Sequence, residues 1–322
     1  MGKSGSGKTS MRAIVFKSQL AADTRRLGAT IDVESSQIKF LGGLRLDLWD
    51  CGGQDSFMDQ HLTSQSSTIF RAVHSLIYIF DAESPELLSS DTHYFLKCLG
   101  QLKDQNLNST SAQEGEVVSG DTAQGPTVFV LLHKMDLVPE PQQAGKLAEF
   151  EAEVRKRAAD AGWKGDLQFY RTSIWNETLY KAWSIVVAHL MPSLSSLRSH
   201  LSHFLSVTSA SEVVLFERTT FLVIASVTAP ECEGDGTEWD KRRFERISTM
   251  VKAFKLGCSK IRAPFTSLTV STAGYTAVLD ALTPETYILV LSAGSIQPAA
   301  IELNIRLARP HFAKVEAIGS RG

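Results

Sequence analysis

Gly2-Lys3-Ser4-Gly5-Ser6-Gly7-Lys8-Thr9 decides the fold class, because it is a complete G-x-x-x-x-G-K-[ST] stretch. The chemistry dictates the residues. Glycines let successive backbone N–H groups turn inward around phosphate oxygens, Lys8 reaches the β and γ phosphates, and the Thr9 hydroxyl is a Mg²⁺ ligand. A helix predicted over residues 10–22 points its positive end at the same anion, so Ser4, Gly5, Ser6, Gly7 and Ser10 join Lys8 and Thr9 as candidate phosphate contacts. Taken alone, the stretch also reads as a flexible Gly/Ser tail. It fits the M-G-x-x-x-[ST] acylation pattern too, but Gly2 is already required by the loop.

Outward from the loop, residues 38–40 and 44–48 alternate as two strands around Gly42-Gly43 and end at Asp50-Cys51-Gly52-Gly53-Gln54. An acid at a strand end can hold Mg²⁺ through water, the Gly53 N–H can meet a γ-phosphate, and Gln54 can orient an attacking water. Between the two motifs, Thr24 and Thr30 supply hydroxyls to a nucleotide, and Thr30 is the one assigned to the metal with Thr9 and Asp50. Arg25 and Arg26 read as a solvated helix end, with an arginine finger as the alternative. Further on, an apolar strand at 127–132 runs into His133-Lys134-Met135-Asp136. A carboxylate there accepts both the N1–H and the exocyclic amine of guanine, a pattern adenine cannot supply. Ser173 and Ile174, after a short strand at 167–170, would support the base edge with backbone groups.

At 322 residues the chain exceeds the usual size of one hydrophobic core, so two domains are expected. Hydrophobic residues at 43% and charged residues at 21% exclude a disordered or low-complexity protein. A net charge of -2 excludes the footprint of a general nucleic-acid or anionic-membrane binder. Cys51, Cys98, Cys232 and Cys258 lack C-x-x-C spacing and read as reduced thiols. With no long apolar run and no signal-peptide pattern, a cytoplasmic protein without membrane insertion is expected.

Together, residues 2–11, Arg25-Arg26-Leu27-Gly28-Ala29-Thr30-Ile31-Asp32-Val33-Glu34, Leu48-Trp49-Asp50-Cys51-Gly52-Gly53-Gln54-Asp55, His133-Lys134-Met135-Asp136-Leu137 and residues 172–180 resemble the Rag GTPases of the RagA/RagB type. His133, where Ras-like proteins carry Asn in an N-K-x-D loop, is part of that resemblance. The resemblance implies an α/β P-loop GTPase domain with a mostly parallel sheet and helices on both faces, then an α+β roadblock-like dimerisation domain. It implies a GTP/GDP switch using Mg²⁺, paired as a heterodimer with a RagC/RagD-type subunit. Such a switch conveys amino-acid sufficiency to the target-of-rapamycin kinase complex, peripherally on the vacuole or lysosome. A membrane-anchoring scaffold and a GTPase-activating complex belong to the same picture.

The domains are expected at 1–192 and 193–322. Helices are predicted at 85–102, 147–161, 177–191, 193–205, 237–256 and 299–317, with the Phe244, Ile247, Val251, Phe254 stripe as core. A hairpin is predicted over 212–227, with strands at 267–271, 275–282 and 286–291. Residues 104–125, polar and rich in Ser, Thr, Gly and Gln, read as a disordered insertion. The strand that feeds a phosphate loop in Ras-like sheets is missing before Gly2. This leaves the edges of the Asp50 strand and of residues 75–80 unpaired and makes weak nucleotide binding the expectation. Two other readings remain open: an ATP-using P-loop enzyme and a non-catalytic interaction subunit.

Overall fold

A computed structural model of the protein describes residues 1–17, 19–39, 45–55, 69–70, 73–111, 126–191, 194–230, 251, 254, 257–258, 262–263 and 265–319. The chain folds as two compact units, Met1–Ser36 with Leu48–Ala182, and Gln37–Asp47 with Trp183–Gly322. The division falls between Ala182 and Trp183, ahead of the boundary expected at Pro192, and assigns Gln37–Asp47 to the second unit.

In the first unit, α1 (Lys8–Phe16) follows the phosphate loop and gives way to a 3-10 helix at Ala21–Arg26. The single helix expected over 10–22 is therefore two pieces. Strands β1 (Glu34–Lys39) and β2 (Arg45–Asp50) form a two-stranded sheet, while β3 (Ser75–Asp81), β4 (Thr127–His133) and β5 (Leu167–Arg171) form a parallel three-stranded one. Every residue of β4 is buried, as a central parallel strand covered on both faces must be. Beneath it, Tyr78, Phe80, Phe95 and Phe150 pack edge to face, with ring centroids 5.0–5.5 Å apart.

β2 and β3 lie in different sheets. The outer edge of β3 is met at one point. The Met1 nitrogen donates to the Ile77 carbonyl at 2.6 Å, and the Ile79 N–H donates to the Met1 carbonyl at 2.9 Å. That is the pattern of a parallel ladder, with Met1 opposite Tyr78.

A π-helical turn at Leu87–Asp91 precedes α2 (Thr92–Ser111), so the helix begins later than expected and runs into the segment expected to be disordered. Asp104 to Ser111 are helical because polar composition does not prevent a formed helix from propagating. The rest of that segment, 112–125, lies outside the described residues. Two further helices, α3 (Glu140–Asp160) and α4 (Thr178–His189), complete this part of the chain.

In the second unit, the end of α4 is followed by α5 (Leu194–Thr208). Its sheet is antiparallel, in the order β7 (Val223–Thr228), β6 (Glu212–Glu217), β10 (Thr286–Ala293), β9 (Tyr275–Ala281), β8 (Ser267–Ser271). The closing helix α6 (Pro298–Gly319) buries Ile301, Ile305 and Phe312. This is the expected α+β layer. Val251 is buried against Leu279 and Leu289, whereas Phe254 is 54% exposed, so the helical stripe is core only in part. Phe244 and Ile247 lie outside the described residues.

Candidate functional site

Gly5 and Gly7 take φ angles of 78° and 97°, left-handed values that cost a Cβ-bearing residue, and Gly7 hands the chain to α1. Lys8 folds back across the loop. Its ammonium donates to the Gly2 and Lys3 carbonyls at 2.6 and 2.7 Å, and burial pushes its pKa down to about 8 despite the opposing pull of Asp50. Gly53 sits so close that a Cβ there would lie 2.5 Å from the Gly2 carbonyl oxygen and from the Lys8 ammonium, while its own carbonyl accepts the Ser4 N–H at 2.6 Å. The glycine of the D-x-x-G stretch and the phosphate loop are thus in direct contact. Ser6 is buried and its hydroxyl has no hydrogen-bond partner.

One turn into the site, the Thr9 hydroxyl lies 2.8 Å from the Thr30 hydroxyl and donates to Asp50 Oδ2 at 2.9 Å. The three residues assigned to the metal from sequence therefore converge. Two hydroxyls and a carboxylate form a hard-oxygen donor set, which fits Mg²⁺ and would not suit a soft metal. Thr24 does not join them. Its hydroxyl donates to the Ala21 carbonyl at 2.7 Å, closing its own 3-10 turn.

At the end of β4, His133 is 2% exposed. Its Nδ1 lies 3.0 Å from the Thr172 hydroxyl, and burial pulls its pKa down to about 4. The ring packs against Gly7, so His133 braces the phosphate loop. Lys134, with φ 62°, instead turns its ammonium to Asp81 at 2.6 Å. Asp136 is exposed, and its Oδ1 accepts the Ser173 hydroxyl at 2.5 Å, which joins the two base-side loops; Ile174 follows, half-buried. The neighbouring Trp175 ring lies under the Arg25 guanidinium at 5.5 Å, which engages one of the two candidate finger arginines locally. Ser10 stands in the first turn of α1, and Gln54 is half-buried just beyond Gly53.

Sequence reasoning passed over two cations here. Lys3 donates to Glu86 at 2.5 Å and to Ser90 at 2.8 Å, and lies 3.6 Å from both Asp55 and Asp91. Arg12, buried in α1, reaches Glu34 and lies 3.4 Å from Asp50. A charged residue in the mostly buried α1 was the available signal, since an arginine is seldom buried without a paired acid.

The model of the Gtr1/RagA G protein conserved region matches residues 1–113 and 116–251. The chain belongs to the Gtr1/RagA family. Its relatives include Ras-related GTP-binding protein B of Rattus norvegicus, 43% identical over 347 residues that span 99% of this chain and 85% of that one. Ras-related GTP-binding protein A of Dictyostelium discoideum is 43% identical over 98% of this chain and 95% of its own length. Similarity to Ras-related GTP-binding protein C of Mus musculus is lower, at 27% over 71% of this chain and 53% of that protein. Within the family, then, the chain stands with the A/B members. No helix among the described residues is long and apolar enough to cross a membrane.

Proposed function

We propose that this chain is a guanine-nucleotide switch that hydrolyses GTP with Mg²⁺ and works as one half of a heterodimer with a RagC/RagD-type subunit. The observation that carries the reading is the convergence of Thr9, Thr30 and Asp50 beside Lys8. Lys8 and the loop N–H groups of Ser4 to Ser10 bind the β and γ phosphates. Thr9, Thr30 and Asp50 hold Mg²⁺, which when bound neutralises charge on the phosphate oxygens. Gln54 orients the attacking water. Asp136, set by Ser173, reads the guanine edge, and that selection for guanine disfavours an ATP-using enzyme.

Leu303 and Leu307, exposed on α6, and Val207, exposed on α5, offer the second unit apolar surface for a partner subunit. The A/B-type similarity supports a role in signalling amino-acid availability to the target-of-rapamycin kinase complex. Vacuole or lysosome attachment would then come through scaffold partners, and turnover would be stimulated by an activating complex. A non-catalytic interaction subunit, using the apolar surface of the second unit, is the second reading. The test is extraction and chromatography of co-purified nucleotide, followed by single-turnover phosphate release with and without Mg²⁺. Stoichiometric guanine nucleotide with Mg²⁺-dependent cleavage supports the switch, whereas no nucleotide and no cleavage would favour the scaffold.

A further inference from the structure

Arg12 lies three residues after Thr9 on the same face of α1. Its side chain is 8% exposed, set between the Asp50 side chain at 4% and the Glu34 side chain at 56%. Its Nε is 3.4 Å from Asp50 Oδ2, the oxygen that also accepts the Thr9 hydroxyl, yet this Nε is buried and makes no hydrogen bond. The contact with Asp50 is therefore one of charge. A terminal guanidinium nitrogen donates instead to Glu34. The buried Arg12 guanidinium thus stands as a counter-charge directly behind the buried Asp50 carboxylate. Glu34 opens β1 directly after the connection that carries Thr30, so that connection is fastened twice. Thr30 is tied to Thr9, and Glu34 is tied through Arg12 to Asp50.

We propose that Arg12 is a positioning residue that sets Asp50 for Mg²⁺ and, through Glu34, straps the end of the 21–34 connection to the same carboxylate. Metal retention and closure of that connection are then one event. This rests on the switch reading above, since it gives Asp50 its metal. Removing residues that orient a ligand from behind costs about tenfold or more in metal affinity. Release of a fluorescent GDP analogue from the full-length chain, followed against free Mg²⁺, is the test. Glu34→Gln, an exposed change that leaves the fold alone, and Arg12→Met should each raise the Mg²⁺ midpoint for slow release, Arg12→Met by about tenfold. Release in excess chelator should match the parent, and Arg12→Lys should recover part of the shift. Unchanged midpoints in both variants would overturn the inference, as would release accelerated equally with and without Mg²⁺, which marks a general loosening. A parent whose GDP release ignores Mg²⁺ would overturn the switch reading and this inference with it.

Discussion

A Cβ placed on Gly7 would lie 2.6 Å from His133 Cδ2 and 2.8 Å from its Nε2. The ring cannot swing aside easily, because it is buried and its other nitrogen meets Thr172. Gly7 also holds φ at 97°. Gly7→Ala should therefore cost both backbone strain, about 1–3 kcal/mol, and displacement of His133. Thermal unfolding and nucleotide affinity should both fall; a variant matching the parent in both would show that the contact is relieved by a small shift.

His133 also gives stability a pH dependence. Its pKa is about 4 when folded against an ordinary 6.5, so the unfolded chain binds more protons between those values and stability rises with pH there. The His133 contribution is complete above about 6.5 and is lost as pH falls toward 4, amounting to roughly 3 kcal/mol in full. His133→Asn, which can still bond Thr172, should flatten the melting temperature between pH 5 and 6.5. An equal slope in parent and variant would assign the acid sensitivity elsewhere.

The motifs were legible because each is short, local and chemically over-determined. Gly7, Lys8 and Thr9 announce a phosphate loop, Asp50 and Gly53 its partner, and β4 is an apolar run that only a buried strand explains. Spatial roles were less legible. The sequence placed Thr30, not Thr24, with the metal, but the 3-10 turn that engages the Thr24 hydroxyl was not legible in it. His133 reads as a nucleotide-site residue by its place in the motif, whereas its packing against Gly7 is visible only in the fold. Asp104 to Ser111 show the limit of composition, since polar residues serve a helix as readily as a loop.

Base choice should rest on Asp136. Exchanging its carboxylate for an amide in Asp136→Asn sets a donor against the guanine N1–H and amine, while the altered edge of xanthine can be accommodated. GTP affinity should drop and XTP affinity rise, separated by several kcal/mol, or about 10³-fold. Ser173→Ala, which frees Asp136 without changing its charge, should weaken GTP by a smaller factor and leave XTP discrimination intact. Equal GTP binding by Asp136→Asn and parent would remove Asp136 from base reading.

Gln54→Leu separates binding from chemistry. Gln54 is assigned to the attacking water and not to the phosphates, so the variant should bind GTP as the parent does and cleave it at least tenfold more slowly with an activating protein present. Single-turnover phosphate release measures this directly. An unchanged rate would leave water positioning to another group.

Phosphate binding should be coupled to the protonation of Lys8. Burial lowers its pKa to about 8, so in the free protein a growing fraction of Lys8 is neutral as pH rises above that value. A polyphosphate beside the amine favours the charged form and raises that pKa again. Binding above pH 8 must then take up a proton, and affinity should fall by as much as about tenfold per pH unit, whereas at pH 7 Lys8 is already charged and contributes no uptake. Guanine N1–H also titrates in alkali, so the slope alone does not isolate the lysine. Lys8→Arg does, because a guanidinium stays charged throughout this range. Calorimetry in two buffers of different ionisation enthalpy should show proton uptake for the parent at pH 9 in excess of that for Lys8→Arg, with no difference between them at pH 7. Identical uptake in the two proteins at pH 9 would mean that Lys8 keeps its proton inside the loop, its charge sustained by the Gly2 and Lys3 carbonyls that it bonds.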